Sequence, residues 1–339
     1  MSEKKLAVVT VVVAALSLLL LRYENTKARQ LVCDADLWRR YEHDEFEGFD
    51  NETGILTGDL IVPNYVHFLR MGSSMQNVKF IDAMCMLAAF KKQRPDRIYI
   101  HTDQKSFSGF HWEYLIQKVP GFKESLTIVA TQLPDTIFDQ KFSEAYHLFH
   151  SSDVLRIQVL MKFGGIFLDN DSFLVKSLDP YRKFEMAIGW DEGMFLGTQV
   201  LVAHKDARFL RLWLNSYRGH YYPTLWYFNA GEWPTVSILW ARPELVHRVK
   251  LLFGVHPLID EVFISIWPDW RKQFAIHLLT RHLNAMFASC GINFTGSADL
   301  TEGFVSSYHN TLYDMIGEIY DLKSNFNGQV VEKFNCKSR

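Results

Sequence analysis

The stretch Ser151–Pro180, SSDVLRIQVLMKFGGIFLDNDSFLVKSLDP, decides the fold. Its first half carries apolar residues at helical spacing, with Ser151 or Ser152 placed to cap the helix. Gly164 and Gly165 end that helix, and the short apolar run Ile166–Leu168 reads as one buried strand. The strand runs straight into Asp169-Asn170-Asp171. Two carboxylates are thereby delivered to the carboxyl edge of a sheet, where open α/β sheets bind their ligands. Hard oxygen donors suit Mg²⁺ or Mn²⁺, which complete their octahedra with waters and substrate phosphates. The plainer alternative is a pair of acids capping a turn. A second Asp-x-Asp, Asp34-Ala-Asp36, shows how little the tripeptide discriminates alone. Its context is what singles out the later one: a helix bearing Asp153 and Arg156, a Gly-Gly turn, and an apolar strand leading into the acids.

Working outward, strands and helices alternate. Ile61–Leu69 reads as a first strand, and 78–93 has helical spacing with basic residues in its last turn, broken by Pro95. A strand at 97–102, a helix near 111–119 and a strand at 125–131 follow. Such alternation predicts an α/β fold with a mainly parallel sheet covered on both faces. The 339 residues, 48% hydrophobic, suffice for one large domain. Net charge is −2 with no basic run in the folded region, so nucleic acid is not an expected partner.

The N-terminus differs in kind. Leu6–Leu21, LAVVTVVVAALSLLLL, is uncharged and preceded by Lys4 and Lys5. It falls short of the roughly 20 residues that span a bilayer, with Lys4, Lys5 and Arg22 able to snorkel. The expectation is a retained signal-anchor at 6–22 behind a cytosolic tail at 1–5, with a cleaved signal peptide as the alternative. A polar, acid-rich stem at 23–58, a catalytic domain at 59–290 and a C-terminal helical extension at 291–339 packed on that domain complete the expected order. Lumenal placement permits disulfides among Cys33, Cys290 and Cys336, while Cys85, inside an apolar helical stretch, reads as a buried thiol. Asn51 and Asn293 open glycosylation acceptors.

Four blocks resemble glycosyltransferase family 32, the Asp-x-Asp group that includes α1,4-galactosyl-, α1,4-N-acetylglucosaminyl- and yeast-type α1,6-mannosyltransferases. They are Ile61–His67 (IVPNYVH), Ser152–Arg156, Gly164–Asp171 and Phe274–Leu278 (FAIHL). The resemblance implies a GT-A, Rossmann-like catalytic domain in the Golgi membrane, single-pass type II with its catalytic domain lumenal. It implies a retaining, Mn²⁺- or Mg²⁺-dependent transfer of a hexose or N-acetylhexosamine from a nucleotide-sugar, a UDP-sugar foremost, to a glycolipid or glycoprotein glycan. By the same resemblance Asp153 and Arg156 hold the donor sugar or phosphate, and Asp169 meets ribose and metal. Asp171 is the principal metal ligand, His277 reaches the metal or diphosphate, and His67 lies on the nucleotide-binding strand. Arg281 or His282 adds positive charge. Gly231 and Thr235 resemble an acceptor-side block in which Glu232 replaces the family's proline.

Plainer readings accompany these. Asp153 is a first-turn acid favoured by the helix dipole with Arg156 its solvated neighbour, His277 is a core histidine, and His309 is a rival ligand. Asp191 and Glu192 are acceptor-orienting acids or solvated loop acids. In the aromatic-rich stretch Trp213–Trp240, Trp226, Tyr227, Trp233 and Trp240 are core residues or sugar-stacking platforms. Outside this family, a metal-dependent phosphatase would need a Gly-Asp pair after residue 171, and none occurs. A non-catalytic lumenal sugar-binding protein is the other alternative.

Overall fold

A computed structural model of the chain describes residues 54–322, apart from 56, 256, 285–287 and 289–299. The expected anchor, nearly all of the stem, the two glycosylation acceptors and Cys33, Cys290 and Cys336 lie outside the described residues. No helix among the described residues is long and apolar enough to cross a membrane.

The first half alternates as its sequence pattern requires: β1 (Tyr65–Arg70), α1 (Phe80–Gln93), β2 (Arg97–Thr102), α2 (Phe110–Lys118) and β3 (Leu126–Ala130). Then come α3 (His147–Phe163), β4 (Gly165–Leu168), β5 (Ser172–Leu174), β6 (Met186–Gly189), β7 (Val200–Ala203) and α4 (Arg208–Asn215). Past residue 240 lie β8 (His247–Val249), β9 (Ala275–His277), α5 (Glu302–Ser307) and α6 (Thr311–Gly317). Among the described residues the main sheet has seven strands in the order β8-β6-β7-β4-β1-β2-β3. All neighbours are parallel except those of β7, which runs antiparallel to β4 and β6. The chain leaves β1 toward β3 and returns on its other side at β4, so the strand order reverses between β1 and β4.

Period-two alternation sorts side chains between two cores. Val66, Phe68, Ile166, Leu168, Val200 and Val202 face α1, whose Phe80, Ile81, Met84 and Leu87 are buried against them. Leu69, Phe167, Leu201 and Met186 face α3 and α4. Burial of each large apolar side chain contributes about 1.5–3 kcal/mol. Cys85 is a free, buried thiol, pushed well up by that burial. Leu312, Met315 and Ile316 of α6 join the first core, and Lys91 Nζ donates to Ile319 O at 2.6 Å.

Three boundaries differ from expectation. The first strand starts at Tyr65, because Pro63 lacks an N–H and its carbonyl accepts from Tyr65 N at 2.8 Å in a turn. Helix α3 starts at His147, so Ser151 and Ser152 are not caps; their hydroxyls donate back to His147 O and Leu148 O inside the helix. At the other end, Ile55 N donates to Lys183 O at 3.1 Å, so the chain joins the domain before the expected boundary at residue 59.

The turn from α3 into β4 has no linker. Gly164 (φ +65°) closes the helix, its N donating to Leu160 O at 2.8 Å, and Gly165 (φ +113°) begins the strand. A Cβ on Gly165 would lie 2.6 Å from Tyr65 O and 2.9 Å from His67 Nε2. His67 locks this turn from beneath: its Nε2 lies 2.8 Å from Gly164 O and its Nδ1 lies 3.0 Å from His101 Nε2. A carbonyl accepts only, so His67 Nε2 carries the proton and His101 Nε2 donates to the bare Nδ1. Both rings are neutral. Burial, then His101, lowers His67 to about 3 against the bond to Gly164, and burial with Lys162 lowers His101 to about 4.

Two outcomes follow for stability. Gly165→Ala meets both a forbidden φ and a backbone oxygen, and is expected to cost about 3 kcal/mol or more by denaturant unfolding. Gly219→Ala, at φ +73° with open space around it, is expected to cost about 1 kcal/mol. The histidine pair makes stability pH-dependent. An unfolded histidine takes its proton near pH 6.5 and the folded pair only near pH 4 and below, so the contribution is complete above pH 6.5 and drains as pH falls toward 4. Between pH 6 and 4.5, His101→Gln should have a stability slope shallower than the native chain's by about 1 kcal/mol per pH unit. Equal slopes would place the acid sensitivity elsewhere.

Candidate active site

At the carboxyl ends of the sheet strands, beside the β1/β4 reversal, a cavity of about 580 Å³ is lined by Asp153, Arg156, Asp169, Asn170, Asp171 and His277 among others. Three elements bring these side chains together. Asp153 and Arg156 stand one turn apart on α3; Asp169 and Asp171 flank the turn after β4; His277 ends β9. The last placement is made by a two-stranded ladder in which His277 pairs with Ser172 and Leu278 N donates to Asp171 O at 2.9 Å.

Arg156 ties helix to turn. Its Nη1 donates to Asp169 Oδ1 at 3.1 Å and to Thr198 O at 2.8 Å, and its Nη2 lies 2.8 Å from Asp153 Oδ1. The guanidinium sits 4.9 Å over the Phe167 ring. Burial raises the Asp153 carboxyl to about 6, with Arg156 opposing and Asp169 adding. So Asp153 and Arg156 are not solvated neighbours but a buried pair facing the cavity.

Asp171 is the opposite case. Burial acts to raise it, but His277 and two hydrogen bonds from Thr280 outweigh burial and hold it well below the usual carboxylate range. Thr280 N and Oγ1 donate to Asp171 Oδ2 at 3.0 and 2.9 Å, while His277 Nε2 lies 3.2 Å from Oδ1. Burial lowers His277, but Asp171 and then Asp169 outweigh it and the ring titrates above its ordinary value. Leu279, at φ +51°, turns the chain so that Thr280 faces Asp171.

Spacing tests whether these groups fit a divalent ion. Two cis ligands of an octahedral ion with bonds of about 2.1 Å stand about 3.0 Å apart. The 3.2 Å between His277 Nε2 and Asp171 Oδ1 matches such an edge. Among the described residues no group of three or more His, Cys, Asp or Glu is gathered into a cage. His277 Nε2 and Asp171 Oδ1 therefore stand close enough to share one divalent ion, the carboxylate being the donor that suits Mn²⁺ or Mg²⁺, and such an ion would need its remaining ligands from water or substrate oxygens.

Other expected residues are distributed unevenly. Arg281 and His282 line the cavity, with Arg281 4.6 Å over the Phe149 ring. His67 does not reach it, being buried under the Gly-Gly turn with both nitrogens engaged. His309 faces Asp314 at 3.0 Å, away from the cavity lining. Asp191 is buried, accepting from Leu251 N at 2.6 Å, and Glu192 pairs with Lys250 on the surface. Gly231 and Thr235 act on the cavity through Tyr227: a Cβ on Gly231 would overlap the Tyr227 ring, which lines the cavity. Thr235 Oγ1 donates to Gly231 O at 2.6 Å and accepts from Leu196 N at 3.0 Å. Trp213 and Trp233 are core residues, Trp240 is exposed elsewhere, and Trp226 stands at the cavity mouth, 41% exposed, 4.4 Å from Phe149. Sequence reasoning missed Thr280, Asp82, Arg70 and the structural part played by Asn170. A charged residue ending an otherwise apolar strand, as Arg70 ends β1, was the available signal.

Residues 82–188 match the family described as the glycosyltransferase sugar-binding region containing the DXD motif. Glucan organizing enzyme 1 of Cryptococcus neoformans var. grubii is 24% identical over 229 residues, covering 62% of this chain and 56% of that protein. Lactosylceramide 4-alpha-galactosyltransferase of Pongo pygmaeus is 31% identical over 150 residues, covering 43% of this chain and 67% of that protein. The mouse enzyme of that name is 31% identical over the same length, with 41% of it covered, so the chain spans about half the length of the curated relatives it matches. Among solved structures, the PaToxG glycosyltransferase aligns at 21% identity over 54% of this chain and 70% of that chain, with a TM-score of 0.36. The matched residues carry the helix, the Gly-Gly turn and both carboxylates that form the cavity floor, and the chain belongs to the glycosyltransferase family whose sugar-binding region contains the DXD motif.

Proposed function

We propose that this chain is a metal-dependent, retaining glycosyltransferase of GT-A architecture. It would move a hexose or N-acetylhexosamine from a nucleotide-sugar, a UDP-sugar foremost, to a glycan acceptor. The observation that carries the reading is one cavity gathering the Arg156-clamped carboxylates Asp153 and Asp169 with the ionised Asp171 and its partner His277. Asp171 is held charged by His277 and Thr280, ready to accept a cation without first losing a proton. Asp153 and Arg156 face the donor sugar, with acceptor and donor groups fixed one turn apart. Arg281 would place positive charge where the diphosphate departs, with His277 beside Asp171 at the metal edge. A bound Mn²⁺ or Mg²⁺ supplies Lewis-acid neutralisation of the charge developing on that leaving group. The acceptor hydroxyl then approaches the face the nucleotide leaves. Trp226 and Phe149 form an apolar wall at the mouth, suited to the C–H face of an acceptor sugar.

The apolar Leu6–Leu21 segment behind Lys4 and Lys5 supports a type II anchor holding residues 23–339 in the Golgi lumen. The catalytic domain would run from about residue 55, where Ile55 N donates to Lys183 O, to 290, with 291–339 an extension packed on it.

Donor hydrolysis by residues 23–339, screened over UDP- and GDP-sugars with Mn²⁺ or EDTA, tests the reading. One donor should release nucleotide only with metal, and Asp171→Ala should lower the rate by about 10³-fold or more. No turnover and no metal-dependent donor binding by the folded protein would move a non-catalytic sugar-binding role to the front. Once a donor is known, Trp226→Ala should raise KM for the acceptor about tenfold, with KM for the donor moving far less. A parallel rise in donor KM would assign Trp226 to the nucleotide instead.

A further inference from the structure

Arg70 ends β1 with its side chain 0% exposed, and every N–H of its guanidinium is engaged. Nε and Nη2 donate to Met75 O at 3.2 and 2.9 Å, and Nη2 also reaches Asn77 O at 3.3 Å. Nη1 donates to Asp82 Oδ2 at 2.9 Å and to Asn170 Oδ1 at 3.3 Å. Asn170, the middle residue of the Asp-Asn-Asp turn, donates in return from Nδ2 to Leu69 O at 2.6 Å. The amide supplies an acceptor and a donor from two separate atoms, which an ionised aspartate at this position could not, because one partner is a donor and the other an acceptor.

These bonds cross the point where the strand order reverses. On one side, Met71, Ser74, Met75, Lys79 and Asp82 line the cavity; on the other, Asp169, Asn170 and Asp171 do. Arg70 lines nothing and touches both. Resting on the reading proposed above, we infer that Arg70 and Asn170 are positioning residues that lock the 71–79 loop to the Asp169–Asp171 turn, so that the cavity wall this loop supplies to the nucleotide-sugar and the carboxylates for its metal form one rigid unit. The middle position of the motif is then not a spacer. A buried guanidinium is expensive to leave unpaired, and its planar fork bonds several carbonyls at once, which the three donors of a lysine cannot reproduce. Outer partners that orient metal ligands typically affect metal affinity by 10–100-fold.

Asn170→Ala, Arg70→Lys and the double variant of the 23–339 protein test this, Asn170→Ala leaving the Arg70–Asp82 pair in place. Two readouts are taken. Hydrogen–deuterium exchange needs no ligand: Asn170→Ala should speed exchange about tenfold in peptides covering 71–79 and 168–174 together. Acceleration confined to one of the two segments would overturn the coupling. Calorimetric titration with UDP and Mn²⁺ reads the consequence. Asn170→Ala should weaken binding tenfold or more with little change in Tm, and the double variant should bind within about twofold of Arg70→Lys alone. Native-like UDP–Mn²⁺ affinity in Asn170→Ala, or single effects that multiply in the double variant, would overturn the inference. Failure of the native protein to bind UDP–Mn²⁺ would overturn the donor reading instead, with the exchange result still judging the lock.

Discussion

Two successive residues with positive φ, Gly164 and Gly165, are the constraint on which the rest of the site depends. They let a long helix reverse into a buried strand without a connecting loop. Asp153 and Arg156 on the helix and Asp169 beyond the strand consequently meet at hydrogen-bond distance. Any longer connection would leave their relative position to a loop, and loops are the more mobile parts of a fold. The space beside Gly165 is taken by Tyr65 O and His67, so the turn is held by β1 as well as by its own backbone.

Several charges cluster in or just behind the cavity, and each is stabilised by a specific neighbour. Arg156 lies between two carboxylates; Asp171 lies between an imidazole and a threonine; Arg70 lies among carbonyls, a carboxylate and an amide. Such arrangements contribute little net stability, because desolvation offsets most of the attraction. What they provide is a set of groups already oriented before a substrate arrives, a form of electrostatic preorganisation for charge that develops in a transition state.

The contrast between Asp153 and Asp171 follows from surroundings rather than residue type. Burial dominates at Asp153, whose ion-pair partner Arg156 is shared with Asp169, and its carboxyl rises to about 6. At Asp171 burial is overcome by the His277 imidazole and two donors from Thr280. The cavity thus holds one carboxyl that titrates near neutrality beside one that stays ionised.

Much was legible in the sequence wherever the deciding contacts are local. Period-two and helical spacing located the strands and helices of the first half, and the Gly-Gly turn with its flanking acids was readable because its parts lie within about twenty residues. Errors fell where a local pattern had a second solution: Ser151 and Ser152 bond backward inside a helix as readily as they cap one, and Pro63 delays a strand that apolarity alone would begin earlier. Histidines were the hardest class. His67 and His277 both sit in apolar strands, and only the pairing of β9 with β5 carries His277 to Asp171, while β2 supplies the ring that engages His67 under the Gly-Gly turn. Likewise, nothing near Trp226 in the sequence separates it from Trp213 or Trp233. By itself the sequence determined the α/β alternation, the strand that delivers Asp169 and Asp171, and the helix face bearing Asp153 and Arg156, because these depend on neighbours three or four residues away. Tertiary structure alone decided that Thr280 and His277 hold Asp171 and that Arg70 holds Asn170, because those partners are about a hundred residues apart and meet only once strand pairing and sheet order bring them together.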